Sequence, residues 1–207
     1  MIKIVSFDLD GTLATEDFDN ILWNEEIPYI YSKTNNISLE EAKKHVFSEY
    51  YKALYIDKIK DWTSLNYWSD RLNINSELIY EDMKNKVKVY KEVIDVLDYL
   101  SKKYELIVIT NASYEFMKFK LSLEDLESYF KKTFSAPKIS KSSKKDLFMY
   151  KTILDELNIS SKEIVHIGDS AYFDKQIPEQ IGIKCYFLDR DNNQGDISSL
   201  EELKDLL

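Results

Sequence analysis

The sequence has little that would cross-link the chain or anchor it in a membrane. Cys185 is the only cysteine, so no disulfide can form within the chain, which is typical of proteins in a reducing compartment. No apolar run approaches the roughly 20 residues that span a bilayer, and no charged-then-apolar leader opens the chain. We therefore expect a cytoplasmic protein that does not bind membranes.

Glycine and proline are also scarce, and acidic residues outnumber basic ones. With four glycines and three prolines, the chain contains neither a Walker phosphate loop nor a dinucleotide-binding fingerprint, which argues against NTP-driven or NAD-dependent activity. The net charge of −9 argues against binding to the phosphate backbone of nucleic acid. His45 and His166 are the only histidines, and their separation does not suggest a histidine metal site; we expect His166 to be an interior or edge residue. The expected partner is a small molecule.

What is present indicates an α/β protein. A chain of 207 residues, 44% of them hydrophobic, is long enough for one substantial core and a smaller lobe. Short apolar runs alternate with amphipathic helical stretches, which predicts a Rossmann-like parallel sheet wrapped by helices. The runs are residues 2–7, 105–110, 163–168 and 183–188, and we expect Cys185 to pack in the core within the last of them. Helical periodicity covers residues 90–102 and 145–157. Ser38 with Glu41, and Ser198 with Glu201, have the spacing of capping boxes at helix starts.

The segment 15–88 differs from the rest of the chain because it is rich in aromatic and charged residues and lacks a buried-strand pattern. We expect an all-helical cap domain there, and a core domain formed by residues 1–14 and 89–207. A helical lobe inserted after the first strand would lie over the strand ends as a lid. Its aromatic residues could line a pocket or pack in the core of the lobe, and the second role is favoured; they are Trp23, Tyr29, Tyr31, Trp62, Tyr67 and Trp68.

Two apolar strands are followed by acidic residues. The run 2–7 leads into Asp8-Leu9-Asp10-Gly11-Thr12-Leu13, and the run 163–168 leads into Asp169, with Asp174 following. The carboxyl ends of strands in open α/β sheets border the ligand crevice, so these acids should face a ligand. Carboxylates this close repel one another unless a cation such as Mg²⁺ lies between them. The alternative is a pair of polar turns that simply close the strands.

The hexapeptide 8–13 resembles the first motif, Asp-x-Asp-Gly-Thr, of the haloacid dehalogenase-like hydrolases, and the segment 164–174 resembles their fourth. Most members of this family are Mg²⁺-dependent phosphatases. The resemblance implies that Asp8 attacks phosphorus and that Asp10 is the general acid and base. It also implies a metal site of Asp8, Asp169 and the backbone carbonyl of Asp10, with Asp174 orienting a lysine or a metal-bound water.

The family's second and third motifs resemble this chain more loosely. By resemblance, Thr110 would hydrogen-bond the transferred phosphoryl group, helped by the backbone N–H of Asn111, although a Thr-Asn helix cap is the alternative. The third motif is a lysine near a helix start, commonly followed by proline. No Lys-Pro pair occurs here, and counting back from the helix pattern at 150–154 favours Lys144 as the catalytic, phosphate-binding lysine. The other candidates are Lys145, Lys141 and Lys138.

Together the motifs predict a Mg²⁺-dependent phosphatase that hydrolyses a small phosphorylated metabolite through an aspartyl-phosphate intermediate. A phosphomutase or phosphotransferase would use the same acids, and a non-catalytic binding module could keep the same fold. Carbon–halogen hydrolysis is disfavoured because it needs neither Asp10 nor a metal-binding Asp169. The substrate could be a phosphoglycolate-sized acid, a sugar phosphate or a nucleoside monophosphate. A monomer is favoured, but the sequence leaves the oligomeric state open.

Overall fold

The computed structural model describes residues 1–15, 17–59, 64–84, 86, 88–140, 144–191 and 194–207. Contacts between residues divide the chain into two compact units. We call Met1–Thr15 with Val89–Leu207 the core unit, and Glu16–Lys88 the helical unit. The predicted cap, residues 15–88, differs from the helical unit by one residue.

The core unit contains a five-stranded sheet in which every strand pairs in parallel with its neighbours. The strand order is β3-β2-β1-β4-β5, so the first strand lies in the middle. Parallel neighbours need crossover connections, and here these contain helices. The predicted α/β fold with a parallel sheet is confirmed. The strands are β1 Ile4–Phe7, β2 Glu105–Thr110, β3 Phe130–Ser135, β4 Ile164–Gly168 and β5 Lys184–Phe187.

Both faces of the sheet are buried. Alternate residues of one strand enter different hydrophobic clusters: Val5 and Phe7 lie in one, and Ile4 lies in the other. The inner strands β1, β2 and β4 are therefore mostly apolar, as expected for a parallel sheet covered by helices on two sides. Cys185 is buried in β5, as predicted. Ser6 in β1 and His166 in β4 are buried polar residues that bear on the site described below.

The helices of the core unit begin and end close to the predicted positions. Val93–Leu100 buries its valine and leucine face, inside the predicted 90–102. Leu147–Leu157 begins two residues later than predicted, because Asp146 is its N-cap and accepts from the backbone N–H of Met149 at 2.8 Å. The helices are numbered by chain order, α6 Val93–Leu100, α7 Tyr114–Ser122, α8 Ala136–Ile139, α9 Leu147–Leu157, α10 Ile177–Glu179 and α11 Leu203–Leu206, with α1 to α5 in the helical unit.

Shorter helical turns complete the core unit. The last of them shows a capping box of Ser199 and Glu202, one residue later than the Ser198 and Glu201 spacing predicted. Turns of 3-10 type cover Leu123–Tyr129, Ser161–Glu163 and Leu200–Glu202, and a π-helical turn covers Ala171–Gln176.

The helical unit contains no strand among its described residues, in agreement with the composition of the segment. Trp68 is fully buried, and its ring centroid lies 4.6 Å from that of Tyr50 and 6.5 Å from that of Trp23. Trp62 lies outside the described residues. The helices are α1 Asp17–Ile21, α2 Ile27–Asn35, α3 Leu39–Tyr51, α4 Leu65–Leu72 and α5 Ser76–Met83, with π-helical turns at Leu22–Glu26 and Lys52–Ile56.

The capping box of Ser38 and Glu41 predicted for the start of α3 is present. Throughout the part of the chain that the structure describes, no helix combines the length and apolar character needed to cross a membrane.

The points at which the chain leaves and re-enters the core unit are neighbours. Ala14 forms an antiparallel bridge with Val89, and the backbone N–H of Tyr90 donates to the carbonyl of Leu13 at 3.1 Å. The helical unit is thus an insertion whose two ends meet within the core unit.

Candidate active site

The turn after β1 buries the carboxylate of Asp8. The backbone of the same turn lies against a second carboxylate, that of Asp169. Asp8 is 7% exposed, and its Oδ1 accepts from the backbone N–H of Leu9 at 2.8 Å. Gly11 has a φ of +74°, a conformation that favours glycine. A Cβ at Gly11 would lie 2.2 Å from Oδ2 of Asp169, so any side chain there would displace that carboxylate.

The acids at the ends of β1 and β4 converge, as the parallel register of these neighbouring strands requires. Asp8, Asp169 and Asp174 each place one carboxylate oxygen within 4.8 Å of the others. Thr12 Oγ1 donates to Oδ1 of Asp169 at 3.2 Å. A cluster of carboxylate oxygens matches the ligand preference of a hard divalent cation.

Lys145 lies between two of these acids. Its Nζ is fully buried and lies 2.9 Å from Oδ2 of Asp8, and it also donates to Oδ1 of Asp174 and, at 3.4 Å, to the carbonyl of Ile109. Three acceptors match the three N–H groups of an ammonium. The lysine therefore has a single orientation, with one donor towards Asp8.

The choice of Lys144 is corrected by this geometry. Lys144 is exposed, whereas Lys145 enters the site. The reason is the start of α9: Asp146 is the N-cap, so the preceding residue, Lys145, is the one that points inwards. Of the other candidates, Lys138 lies with its Nζ 3.4 Å from the ring centroid of Tyr114, and Lys141 lies outside the described residues.

The charges in this cluster shift one another's protonation. Burial raises the pKa of Asp8, and Asp174 adds to this effect, while Lys145 opposes it. Burial acts to lower the pKa of Lys145, but the carboxylates of Asp174 and Asp8 outweigh burial and raise it. The lysine therefore stays charged at neutral pH, and Asp8 carries the cost of the buried negative charge.

Asp174 uses both of its oxygens within the protein. Oδ2 accepts from the backbone N–H of Ser170 at 2.9 Å, while Oδ1 accepts from Lys145 and lies 3.0 Å from Nε2 of His166. Burial acts to raise the pKa of Asp174, but Lys145 and His166 outweigh burial and hold it well below its usual range. These contacts place Asp174 behind the lysine, with both of its oxygens engaged within the protein.

Thr110 and Asn111 lie at the end of β2, beside β1. Thr110 is buried, and its Oγ1 accepts from the backbone N–H of Ala112 at 3.1 Å. Asn111 contributes its side chain, whose Oδ1 accepts from the backbone N–H of Lys145 at 2.7 Å. The amide therefore fixes the segment that carries the lysine, a contact that the sequence did not indicate.

Two cations near the turn were missed by the sequence analysis. Lys120, on α7, is fully buried with its Nζ 2.5 Å from Oδ1 of Asp10. Arg190 donates to the carbonyl of Thr12 at 2.9 Å, and its guanidinium lies 3.7 Å from the ring centroid of Tyr90. The signal for Lys120 was its place on the apolar face of α7, in helical spacing with Phe116, Met117 and Leu121.

Comparisons with known proteins agree with this fold. A family model described as haloacid dehalogenase-like hydrolase matches residues 5–188. The chain is 25% identical to a HAD phosphatase from Thermococcus onnurineus, with a TM-score of 0.77 over 99% of this chain and 97% of that one.

Two further relatives are more distant. The GMP/IMP nucleotidase YrfG of Escherichia coli (strain K12) is 23% identical over 82% of this chain and 75% of that protein. The putative HAD-hydrolase YfnB from Bacillus subtilis, crystallised with magnesium, is 17% identical, with a TM-score of 0.67 over 100% of this chain and 98% of that one. The match over residues 5–188 confirms the predicted hydrolase family, and the chain belongs to the haloacid dehalogenase-like hydrolases.

Proposed function

We propose that this hydrolase is a Mg²⁺-dependent phosphatase that cleaves small phosphate monoesters through an aspartyl phosphate on Asp8. The observation that carries the proposal is the environment of Asp8, a buried carboxylate with a fixed ammonium 2.9 Å from one oxygen and the carboxylate of Asp169 beside it. A nucleophile for a phosphate dianion needs positive charge around it, and this arrangement supplies part of that charge.

The donor set fits a magnesium ion. Asp8 and Asp169 offer carboxylate oxygens, and the backbone carbonyl of Asp10 is a third hard ligand, while Asp174 is engaged by Lys145, His166 and Ser170. When bound, Mg²⁺ would neutralise negative charge on the substrate and on the two carboxylates.

The chain's own residues divide the reaction into two steps. In the first, a carboxylate oxygen of Asp8 bonds to phosphorus and the bond from phosphorus to the ester oxygen breaks, while Asp10 gives a proton to that oxygen. In the second, water attacks phosphorus, Asp10 takes its proton, and the bond from Asp8 to phosphorus breaks. Inorganic phosphate leaves, and both carboxyl groups return to their starting state.

Lys145 and Thr110 support the charge that develops during these steps. The ammonium of Lys145 would face the phosphoryl group as Asp8 loses its negative charge to the new bond. Thr110 accepts a backbone N–H through its oxygen, so its hydroxyl proton is the group that would be donated to a phosphoryl oxygen.

We include nucleoside monophosphates among the candidate substrates because the E. coli relative is named as a GMP/IMP nucleotidase. Sugar phosphates and phosphoglycolate-sized acids complete the panel. A single comparison of turnover across the panel, with release of phosphate as the signal, distinguishes hydrolysis from transfer to a second hydroxyl group.

The test is hydrolysis of p-nitrophenyl phosphate by wild type and by Asp8→Asn, with Mg²⁺ and with EDTA. We expect Mg²⁺-dependent turnover in wild type and a loss of about 10⁴-fold or more in the variant, since removing a nucleophile leaves only binding and electrostatics. Asp155→Asn, the same change at an exposed position on α9, is the control and should keep wild-type turnover. Turnover by Asp8→Asn close to that of wild type would exclude the aspartyl phosphate.

A further inference from the structure

A chain of buried hydrogen bonds runs from Asp8 into the middle of the sheet. Lys145 Nζ contacts Asp8 and Asp174, Oδ1 of Asp174 lies 3.0 Å from Nε2 of His166, and Nδ1 of His166 lies 2.9 Å from Oγ of Ser6. The side chains of Lys145, Asp174 and His166 have no exposed surface. The site described above uses Asp8, Lys145 and Asp174, but it gives no role to His166 and Ser6.

The positions of Ser6 and His166 are costly for polar residues. They lie on β1 and β4 and are direct partners in the parallel register, each flanked along its strand by apolar residues of one core cluster. Polar groups this deep destabilise a fold unless they are hydrogen-bonded, and a valine or isoleucine would pack there without that requirement. Packing alone does not account for the pair.

The acceptors in this hydrogen-bond network show which atoms of His166 and Ser6 carry protons. An ionised Asp174 only accepts, so the ring nitrogen facing it, Nε2 of His166, must carry a proton. Ser6 has one hydroxyl proton, and its Oγ lies 3.0 Å from the carbonyl of Val165 as well as 2.9 Å from Nδ1. If the hydroxyl donates to Nδ1, the imidazole is neutral; if it donates to Val165, both ring nitrogens carry protons. Both arrangements direct an N–H at Asp174.

That N–H completes the hold on Asp174. Its Oδ1 receives two donors and its Oδ2 receives the backbone N–H of Ser170. Gly168 makes room for this carboxylate, because a Cβ there would lie 2.3 Å from Cγ of Asp174. With the carboxylate fixed on every side, Lys145 keeps one N–H for Asp8.

We propose that His166 is a positioning residue for the nucleophile. Its Nε2–H fixes Asp174, Asp174 fixes Lys145, and Lys145 holds Asp8 in the orientation for attack on phosphorus. The kinetic part of this inference rests on the proposed phosphatase activity, whereas the hydrogen-bond arrangement does not.

The kinetic test compares three variants at one position. In His166→Gln the amide nitrogen can reach the place of Nε2, in His166→Asn only that of Nδ1, and His166→Leu has no donor. We expect kcat to fall about 10- to 100-fold in the Leu and Asn variants with KM nearly unchanged, and to be largely restored in the Gln variant. A role in packing alone would leave the Leu variant, whose side chain is close in volume to that of Gln, as active as the Gln variant.

Circular dichroism and thermal melting show which variants fold. If His166→Leu does not fold, the imidazole spectra described below decide the question. Equal kcat values for wild type and a folded Leu or Asn variant, or a Gln variant no better than Asn, would overturn the proposal.

The second test does not depend on turnover. The chain has two histidines, so long-range ¹⁵N–¹H spectra contain two imidazole patterns, which His45→Gln assigns. His45 is exposed and lies on α3 in the helical unit. We expect His166 to show a protonated Nε2 and to shift in Asp8→Asn, with a smaller shift in Asp10→Asn, while His45 stays in place.

A neutral His166 with its proton on Nδ1 would overturn the arrangement. The two proposals fail in different ways. If wild type has no phosphatase activity but shows the expected imidazole pattern, the proposed function is wrong and the hydrogen-bond arrangement still holds. An active wild type with the Nδ1–H pattern removes only the inference about His166.

Discussion

Lys145 and Lys144 are adjacent in sequence but lie in opposite environments. One has three oxygen acceptors and no exposed surface, and the other faces solvent. An ammonium held between two carboxylates orients both of them, and it also reduces the repulsion between them. This single side chain thus joins Asp8 to the buried carboxylate of Asp174.

Replacing each lysine by methionine tests this difference. We expect Lys145→Met to lower kcat by about 10²- to 10³-fold, because a preorganised donor to the reacting group is lost. Its free energy of unfolding should fall by about 3–5 kcal/mol, since two buried carboxylates lose their common partner. Phosphatase assays and urea unfolding measure the two effects.

Lys144→Met is the matched control. It removes the same charge at an exposed position and should change kcat and stability little, as substitutions at the surface usually do. A larger loss of kcat in Lys144→Met than in Lys145→Met would assign the catalytic lysine as the sequence pattern first suggested.

At the scale of the element, the start of α9 determines which lysine enters the site. The Asp146 side chain caps the helix, and the residue before the cap is extended towards Asp8 and is held through its own backbone by Asn111. The helix cap therefore bears on the position of Lys145 as well as on the stability of the helix.

Removing this cap should affect both properties. We expect Asp146→Ala to lower the free energy of unfolding by about 1 kcal/mol, the usual cost of a lost N-cap, and to lower kcat because the lysine loses its fixed approach. Ser38→Ala removes the cap of α3 in the helical unit and is the matched control. Ser38→Ala should lower the free energy of unfolding by a similar amount and leave kcat unchanged. Equal losses of kcat in both variants would mean that Asp146→Ala acts only by destabilising the protein.

The elements differ in how far the sequence predicts them. Apolar strands ending in acids identify Asp8 and Asp169 because a parallel sheet brings its strand ends to one edge. The lysine was misplaced by one residue because helix starts depend on capping, which periodicity does not resolve. Lys120 and His166 lie within apolar patterns, and their partners, Asp10 and Asp174, become neighbours only when the chain folds.

At the scale of the whole molecule, the site lowers stability when no cation is bound. Asp8, Asp169 and Asp174 share a small region with one buried lysine, so negative charge is in excess. The raised pKa of Asp8 means that its ionised form costs free energy in the folded state at neutral pH. Keeping Asp8 ionised therefore lowers the stability of the folded state.

Without metal at pH 7, Asp8→Asn should therefore melt at a higher temperature than wild type. Each kcal/mol gained raises Tm by about 2–4 °C for a chain of this size. The gain should shrink as the pH falls through the folded pKa of Asp8 and vanish below its unfolded value of 3.8, where the carboxyl is protonated in both states. The measurement is thermal melting between pH 7 and pH 3.5 in EDTA.

Mg²⁺ should reverse the order. At 100 times its Kd, a ligand that binds only the folded state adds about 2.7 kcal/mol, and the variant has lost one ligand. Asp155→Asn should follow wild type throughout. An Asp8→Asn variant that is less stable than wild type in EDTA at pH 7 would contradict this account of the charges.

The bridge between Ala14 and Val89 bears on the evolution of the inserted segment. Because the insertion leaves and returns through two residues that already pair, a short hairpin turn could replace it without altering the register of any strand in the sheet. A gene encoding this sheet could therefore accept, lengthen or exchange the inserted segment as a module, while the residues around Asp8 are inherited unchanged.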